Sequence, residues 1–490
     1  MLLVAATGVP GSSGRIGGRR SRADLSGFQR HLPAKQHRAR DRPARNPRAD
    51  PRGSDGTAVA TRRLVQTSAL PGRESELPSP TRPKTSSALA RTHVLYVQPS
   101  ELFGGAERQV AALLPQLQNQ GVAVTALVGP GRTIVDWLRD AGVKDIVHSS
   151  AFPRDHSDAR GFGWLARSQE FVTSARLIGR EVEALIDGRG IDLVVAGMAY
   201  SWVSATPAAR RKRVPVIWRA GGMELSALER LLLKGWARRN PPDALIANGE
   251  GVRAMFAPLI PAPAHVVRNG VDTTLFYPGA APGAFRRGSD RVVGFAGRLV
   301  PQKRPQDFLA MAARIASHHP GIRFLVAGDG SRRRRYEKLA ARLGLAGRVD
   351  FLGMVQDVRT FYASCDLLVL PSRSEGSPNV VLEAMAMKLP VVASNSTATR
   401  EVVSHLEDGF LFPVGDVDAL TDAVELALGA PELGRALAAR ALAKIQGPLS
   451  AGASATTLSR VLESVLRPAD GRHPALATAR AGALAAAGGY

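Results

Sequence analysis

Residues 367–393 read LLVLPSRSEGSPNVVLEAMAMKLPVVA. Two apolar runs, Leu367–Leu370 and Val391–Ala393, have the length and composition of buried parallel-type strands. Between them a polar loop, SRSEGSP, leads into a short helix. It opens at Pro378 or Asn379, because proline suits a first helical position and asparagine suits a cap. Glu375 sits in the loop, whereas Glu383 lies inside the helix among Val380, Val381, Leu382, Ala384, Met385 and Met387. A carboxylate in such company is costly to bury unless something hydrogen-bonds to it. The pattern alone leaves open whether both acids are solvated or held by partners. The helix start also offers unpaired N–H groups and a positive dipole end, which suit phosphate.

The same alternation continues on either side. Upstream, RVVGFAGRLVPQKRP reads as a strand, a glycine turn and a basic loop, IRFLVAGDG as a strand and glycine turn, and VDFLGMVQDV as a strand and loop. Before these, THVLYV, VAVTALV, DIVHS, IDLVVAG and VPVIWRA read as strands. GGAERQVAALLPQLQNQG, TIVDWLRDAG and the stretch closing on EVEALIDGRG read as helices. Alternation with such short connections predicts doubly wound parallel sheets, whose ligands bind beyond the carboxyl ends of the strands. The loop QPSELFGGAER, after the first strand, therefore belongs to a site. There Gly104 and Gly105 make either a plain turn or a close backbone approach to a ligand.

Between residues 208 and 239, Leu225, Leu228, Leu232 and Trp236 form one stripe, and Arg230, Lys234 and Arg238 follow at four-residue steps on another face. This is either a solvated helix packing its stripe on a sheet or a basic patch resting on an anionic membrane.

The chain's 490 residues suffice for two or three domains. The single cysteine, Cys365, excludes an internal disulfide and a thiolate metal cluster, and its apolar surroundings suit a buried small hydrophobe. No run of eighteen apolar residues suggests a transmembrane helix. The net charge of +23 is uneven: residues 1–92 hold 18 Lys/Arg against 6 Asp/Glu. This Arg-, Pro-, Ser- and Gly-rich segment lacks periodicity and reads as disordered. It has the composition of a basic arm for an anionic polymer or lipid, of an organellar leader, or of sequence read from an upstream start. Aromatic residues make up 5% of the chain and do not interleave with the basic tail, so no nucleic-acid partner is expected.

Several strings carry a family resemblance. The loop and helix with Glu375 and Glu383, eight positions apart, resemble the signature of family 4 retaining glycosyltransferases, which have the GT-B fold. GRLVPQK is similar to that family's G-R-L-x-x-x-K. GGAERQV resembles its loop beside the donor diphosphate, and NGVDTTLFYP its interdomain hinge, where Asn269 and Gly270 turn the chain and Asp272 caps the next segment. Glu401 and DGFLFPVGDVDAL also fit.

The resemblance implies two Rossmann-like domains facing a central cleft. After the basic extension over 1–92, it implies an acceptor-binding domain over 93–275 and a nucleotide-sugar-binding domain over 276–450. A helix over 451–467 would pack back on the first domain, ahead of a flexible tail over 468–490. Glu375 would face the donor sugar, Arg298 and Lys303 would neutralise the departing diphosphate, and Glu383 would hold the ribose hydroxyls. Gly104, Gly105, Gly297, Gly328, Gly376, Ser377, Asn379 and Val380 would line the diphosphate and nucleoside, with Met354 and Val355 at the base edge.

The donor would be a UDP- or GDP-linked sugar, with no further cofactor or metal, and the acceptor a glycan or lipid-linked hydroxyl. The setting would be the cytoplasm, at the inner membrane face. A same-fold epimerase or a non-catalytic sugar-nucleotide binder is the alternative. Three departures stand out. WRAGGME puts Arg219 or Glu224 where many members carry a histidine, and Lys388 and Thr397 each replace a glycine that serves a turn.

Overall fold

A computed structural model describes residues 89–467, apart from 100–104, 130, 153–162, 223–224 and 289. The extension and the C-terminal tail lie outside the described residues, as do Gly104 and Glu224. Leu89, four residues before the expected boundary, has its side chain buried in the first domain's core.

The first domain runs β1 (His93–Gln98), α1 (Gly105–Asn119), β2 (Ala123–Val128), α2 (Arg132–Asp140), β3 (Asp145–His148), α3 (Gly163–Arg189) and β4 (Leu193–Gly197). It continues with α4 (Met198–Arg211), β5 (Val216–Ala220), α5 (Ala227–Arg239), β6 (Ala244–Ala247), α6 (Glu250–Phe256) and β7 (Ala264–Val266). All its strands pair in parallel, in the order β3-β2-β1-β4-β5-β6-β7. Their sequences are nearly continuous apolar runs because helices cover both faces. On one face Trp202 of α4 stacks on Trp218 of β5 at 4.9 Å. Both indole N–H groups are satisfied, by Ala196 O and Thr206 Oγ1.

The second domain runs β8 (Arg291–Ala296), α7 (Pro305–His318), β9 (Ile322–Ala327), α8 (Arg333–Arg342), β10 (Val349–Gly353), α9 (Val358–Ser364) and β11 (Leu367–Leu370). It ends with α10 (Asn379–Ala386), β12 (Val391–Ser394), α11 (Thr397–Arg400), β13 (Phe410–Phe412), α12 (Val417–Gly429) and α13 (Pro431–Gln446). Its strands are again parallel, ordered β10-β9-β8-β11-β12-β13. Cys365 is buried in this core, and burial pushes its thiol pKa up.

The final helix, α14 (Ala451–Leu466), returns to the first domain. Ala455, Leu458, Val461 and Leu462 join Leu114 and Leu117 of α1 in one cluster. The two connections between domains run side by side: Val271 N–H donates to Leu449 O and Ala451 N–H to Val271 O. Gly270 is required at this crossing, because a Cβ there would lie 2.3 Å from Ser450 O. Asp272 accepts from the backbone N–H of Thr274, as its capping role requires.

In both sheets the strand order reverses at one point, between β1 and β4 and between β8 and β11. The crevice at such a point is where open α/β sheets bind ligands. The turn after β8 carries Arg298 and Lys303, and the loop after β11 carries Glu375.

Two local expectations are corrected. In α5 the buried residues are Leu233 and Ala237, with Leu225 and Trp236 half-buried, while Leu228 of the expected stripe is 61% exposed and Leu231 67%. The buried line is displaced by about one residue from the expected stripe, of which Trp236 keeps its inward contact by stacking on Trp218. Thr397 opens α11 beneath a Ser396 cap and needs no left-handed backbone.

Lys388 does need one, with φ +57°. A left-handed L-residue costs roughly 1–2 kcal/mol, of which glycine's extra chain entropy takes back about 0.5–1. Lys388→Gly should therefore raise stability by about 0.5–1 kcal/mol in a denaturant titration; an unchanged or lower midpoint would contradict this reading.

Candidate active site

The signature stretch folds as its pattern requires. Strand β11 ends at Leu370, a loop carries Glu375, and α10 starts at Asn379 after Pro378. The loop is tied to the turn after β8: Arg373 N–H donates to Gln302 O, and Gln302 Nε2 donates to Ser374 O at 3.0 Å. This brings Lys303 Nζ to 2.6 Å from both carboxylate oxygens of Glu375. Both side chains are largely buried, so neither is solvated in the cleft. Gly297 packs along the Lys303 stem, and the exposed Arg298 follows it with no ion-pair partner among the described residues.

The neighbouring turns are held by glycines. Gly328 has φ +127°, and a Cβ there would lie 2.1 Å from Gly297 O. Only glycine lets the turns after β8 and β9 meet. Gly328 N–H in turn donates to Gly353 O, which places Met354 and Val355 beside them, Met354 being exposed. Gly297, Gly328, Met354 and Val355 thus form one rim next to Lys303.

Glu383 is 3% exposed and does not stand alone. Tyr362 of α9 donates to its Oε2 at 2.7 Å, and Arg108 of α1 approaches its Oε1 to 3.3 Å from the opposite domain. Burial, reinforced by the carboxylate, pushes the Tyr362 phenol well above its usual pKa. Burial works most strongly against the Arg108 charge, but Glu383, Tyr362 and Glu107 together outweigh it and the guanidinium pKa is raised. Neither partner was expected from the sequence. Arg108 stands one turn into the GGAERQV helix, where it reads as an ordinary surface arginine.

Asn379 is also committed across the cleft. Its Nδ2 donates to Gly105 O at 2.9 Å, and its Oδ1 accepts from Asn269 Nδ2 at 2.8 Å. Beside it Gly376 packs on Gly222, so closely that a Cβ on Gly222 would lie 2.4 Å from Gly376 Cα. Ser377 and Val380 flank Asn379 at the helix tip, both half-buried. Further along the cleft, Glu401 accepts from the N–H groups of Glu250 and Gly251, capping α6 of the first domain from the second. The cleft is therefore closed, its walls joined at Arg108, Asn379, Gly376 and Glu401. Among the described residues no three His, Cys, Asp or Glu side chains gather into a group suited to a metal.

Both halves match family models: residues 103–275 match Glycosyltransferase Family 4 and residues 290–429 match Glycosyl transferases group 1. The chain belongs to glycosyltransferase family 4. The lipopolysaccharide core biosynthesis glycosyltransferase LpsE of Rhizobium meliloti is 27% identical over 385 residues, covering 74% of this chain and 96% of that protein. The exopolysaccharide phosphotransferase SCO2592 of Streptomyces coelicolor is 36% identical over 157 residues, but this chain spans only 17% of its length and matches over 31% of its own. Among solved structures, Anabaena Alr3699/HepE in complex with UDP and glucose superposes with a TM-score of 0.63. Its identity is 22%, over 76% of this chain and 100% of that one. That likeness concerns the fold, and the glycosyltransferase described here has the two-domain GT-B architecture.

Removing the Glu401 carboxylate takes a cap from α6 and one fastening from the cleft. Small-angle scattering of Glu401→Ala should show a larger radius of gyration than the parent, with a cost of about 1 kcal/mol in stability. Superimposable scattering curves would contradict a latch at this position.

Proposed function

We propose that this chain moves a sugar from a nucleoside diphosphate to an acceptor hydroxyl, with retention at the anomeric carbon and without a metal ion. The observation that carries the reading is the contact between Lys303 and Glu375 at the strand switch point, beside the tip of α10. A cation suited to a diphosphate and an acid suited to a sugar stand together, where the bond between those two groups would lie. Arg298 supplies a second cation, and α10 adds the positive end of its dipole. Charge developing on the departing diphosphate is thereby met by fixed groups in a water-poor cleft, where they act strongly. A diphosphate oxygen then takes the acceptor proton, and Glu375 supports the positive charge that builds on the sugar ring.

In this reading the nucleoside lies along Gly328, Met354 and Val355, and Glu383 accepts from the ribose hydroxyls. The donor takes over contacts that the site otherwise makes internally, with Lys303 turning from Glu375 to phosphate. The name of LpsE, a lipopolysaccharide core enzyme, and the UDP and glucose in the HepE crystal support a glycan acceptor and a uridine nucleotide.

The acceptor side carries a second part of the proposal. No helix among the described residues is long and apolar enough to cross a membrane. Yet α5 leaves Leu228 and Leu231 bare, one turn apart, beside Arg230, Lys234 and Arg238. We assign this face to an anionic membrane surface, where each basic residue contributes about 1 kcal/mol. That suits a cytoplasmic enzyme working on a lipid-linked acceptor.

Glu375→Gln should abolish transfer while its thermal shift with UDP, GDP or ADP stays at least as large as the parent's, because Lys303 is released. Retained turnover, or loss of the nucleotide shift, would contradict the assignment. Glu383→Gln should instead weaken the nucleotide shift itself. In liposome sedimentation, replacing Leu228 and Leu231 by serine should lower binding to anionic vesicles several-fold. Equal sedimentation with neutral and anionic lipid would remove the membrane assignment.

A further inference from the structure

The first domain presents a charge to the cleft that no acid among the described residues answers. Arg219, near the end of β5, is half-buried. Its Nη1 donates to Tyr96 OH at 3.2 Å and its Nη2 to Asn269 Oδ1 at 3.1 Å. Its Nε is buried without a partner. Both partners are neutral, and no carboxylate pairs with Arg219 among the described residues. Lys303 and Arg108, which also face the cleft, each meet a glutamate. Withdrawing a guanidinium from water without an anion is unfavourable. Two neutral acceptors fix its plane and leave three of its five N–H donors unused, which suits an incoming carboxylate or phosphate.

The surroundings place that anion. In the sheet Arg219 lies beside Gly197 of β4. The next residue, Met198, holds a left-handed backbone (φ +65°) and exposes its side chain. Gln98, at the end of β1, is 1% exposed and its Oε1 has no partner. Strained backbone and unpaired buried polar atoms collect where a ligand completes a site. Three residues beyond Arg219, Gly222 touches Gly376, which follows Glu375. Arg219 therefore lies on the first-domain wall whose backbone, three residues on, meets the loop of the acid assigned to the transferred sugar.

We infer that Arg219 receives an acidic group, a carboxylate or a phosphate, carried by one of the two sugars that meet beside Glu375. The inference rests on the glycosyl-transfer reading and names a substrate class within it. Gln98 and Met198 line the same wall, offering an acceptor for a hydroxyl and an apolar surface for a ring face.

The test uses thermal shifts on the full chain, in two arms. In the first, the protein is saturated with whichever of UDP, GDP and ADP stabilises it most, and glucuronate and glucose 6-phosphate are compared with glucose. In the second, the hexuronate and hexose forms of that nucleotide are compared. An acidic acceptor shows in the first arm and an acidic donor in the second. In one arm the acidic compound should bind about tenfold or more tightly than its neutral counterpart. Arg219→Gln should erase that preference and Arg219→Lys keep part of it, with the nucleoside diphosphate shift unchanged in both.

Equal binding of acidic and neutral compounds in both arms would overturn the inference, as would a preference that survives Arg219→Gln. Loss of the nucleoside diphosphate shift in Arg219→Gln would also overturn it, by placing the residue at the diphosphate. If no nucleoside diphosphate stabilises the parent protein, the transfer reading itself fails and this inference falls with it.

Discussion

An acid inside a closing cleft must be answered by a cation or a hydroxyl, and this requirement shapes the site. Lys303 binds both oxygens of Glu375 at 2.6 Å. At an effective dielectric near 20, unit charges about 4 Å apart already attract by roughly 4 kcal/mol before desolvation, and losing one partner would leave the other charge stranded. The pair holds the turn after β8 against the loop after β11, and so fixes where Arg298 and the tip of α10 stand. Glu383 obeys the same rule with a difference: one of its partners, Tyr362, is local, but the other, Arg108, belongs to the facing domain. The second acid is therefore fully satisfied only when the two domains meet.

The sheets deliver these groups to one place without any special device. Each reverses its strand order once, and each reversal opens a crevice at the carboxyl ends of the flanking strands. The paired crossings at Val271 and Ala451 bring the crevices face to face, and glycines set how closely the domains, and the turns within one of them, approach. Gly222 on Gly376 and Gly328 on Gly297 allow backbone contacts that any side chain would prevent. Asn379 adds specificity to the closure, because its amide reads the hinge residue Asn269 and the first residue of α1 together.

Much of this was legible in the sequence, for reasons that are local. Leu367–Leu370, Pro378 and the run after Asn379 carry strand, turn and helix signals within a few residues, and the structure agrees with them. The two-domain parallel architecture and the family resemblance rest on the same short-range patterns. The features hidden from the sequence depend on partners far away along the chain. Arg108 and Tyr362 meet Glu383 only through the fold. The face of α5 follows Leu233 and Ala237, one residue on from the leucine spacing, with Trp236 stacked on Trp218. Lys388 was legible as a lysine in a glycine's place, and the structure shows that the left-handed turn persists under it. The extension before Leu89 lies outside the described residues.

The central claim is that the contact between Lys303 and Glu375 is the seat of an activated sugar's diphosphate. A crystal structure with the tightest-binding nucleoside diphosphate addresses it most directly. Lys303 Nζ should lie within hydrogen-bond distance of a phosphate oxygen, released from at least one oxygen of Glu375, with the ribose hydroxyls on Glu383. A nucleotide bound elsewhere, with Lys303 still held by both oxygens of Glu375, would contradict the account.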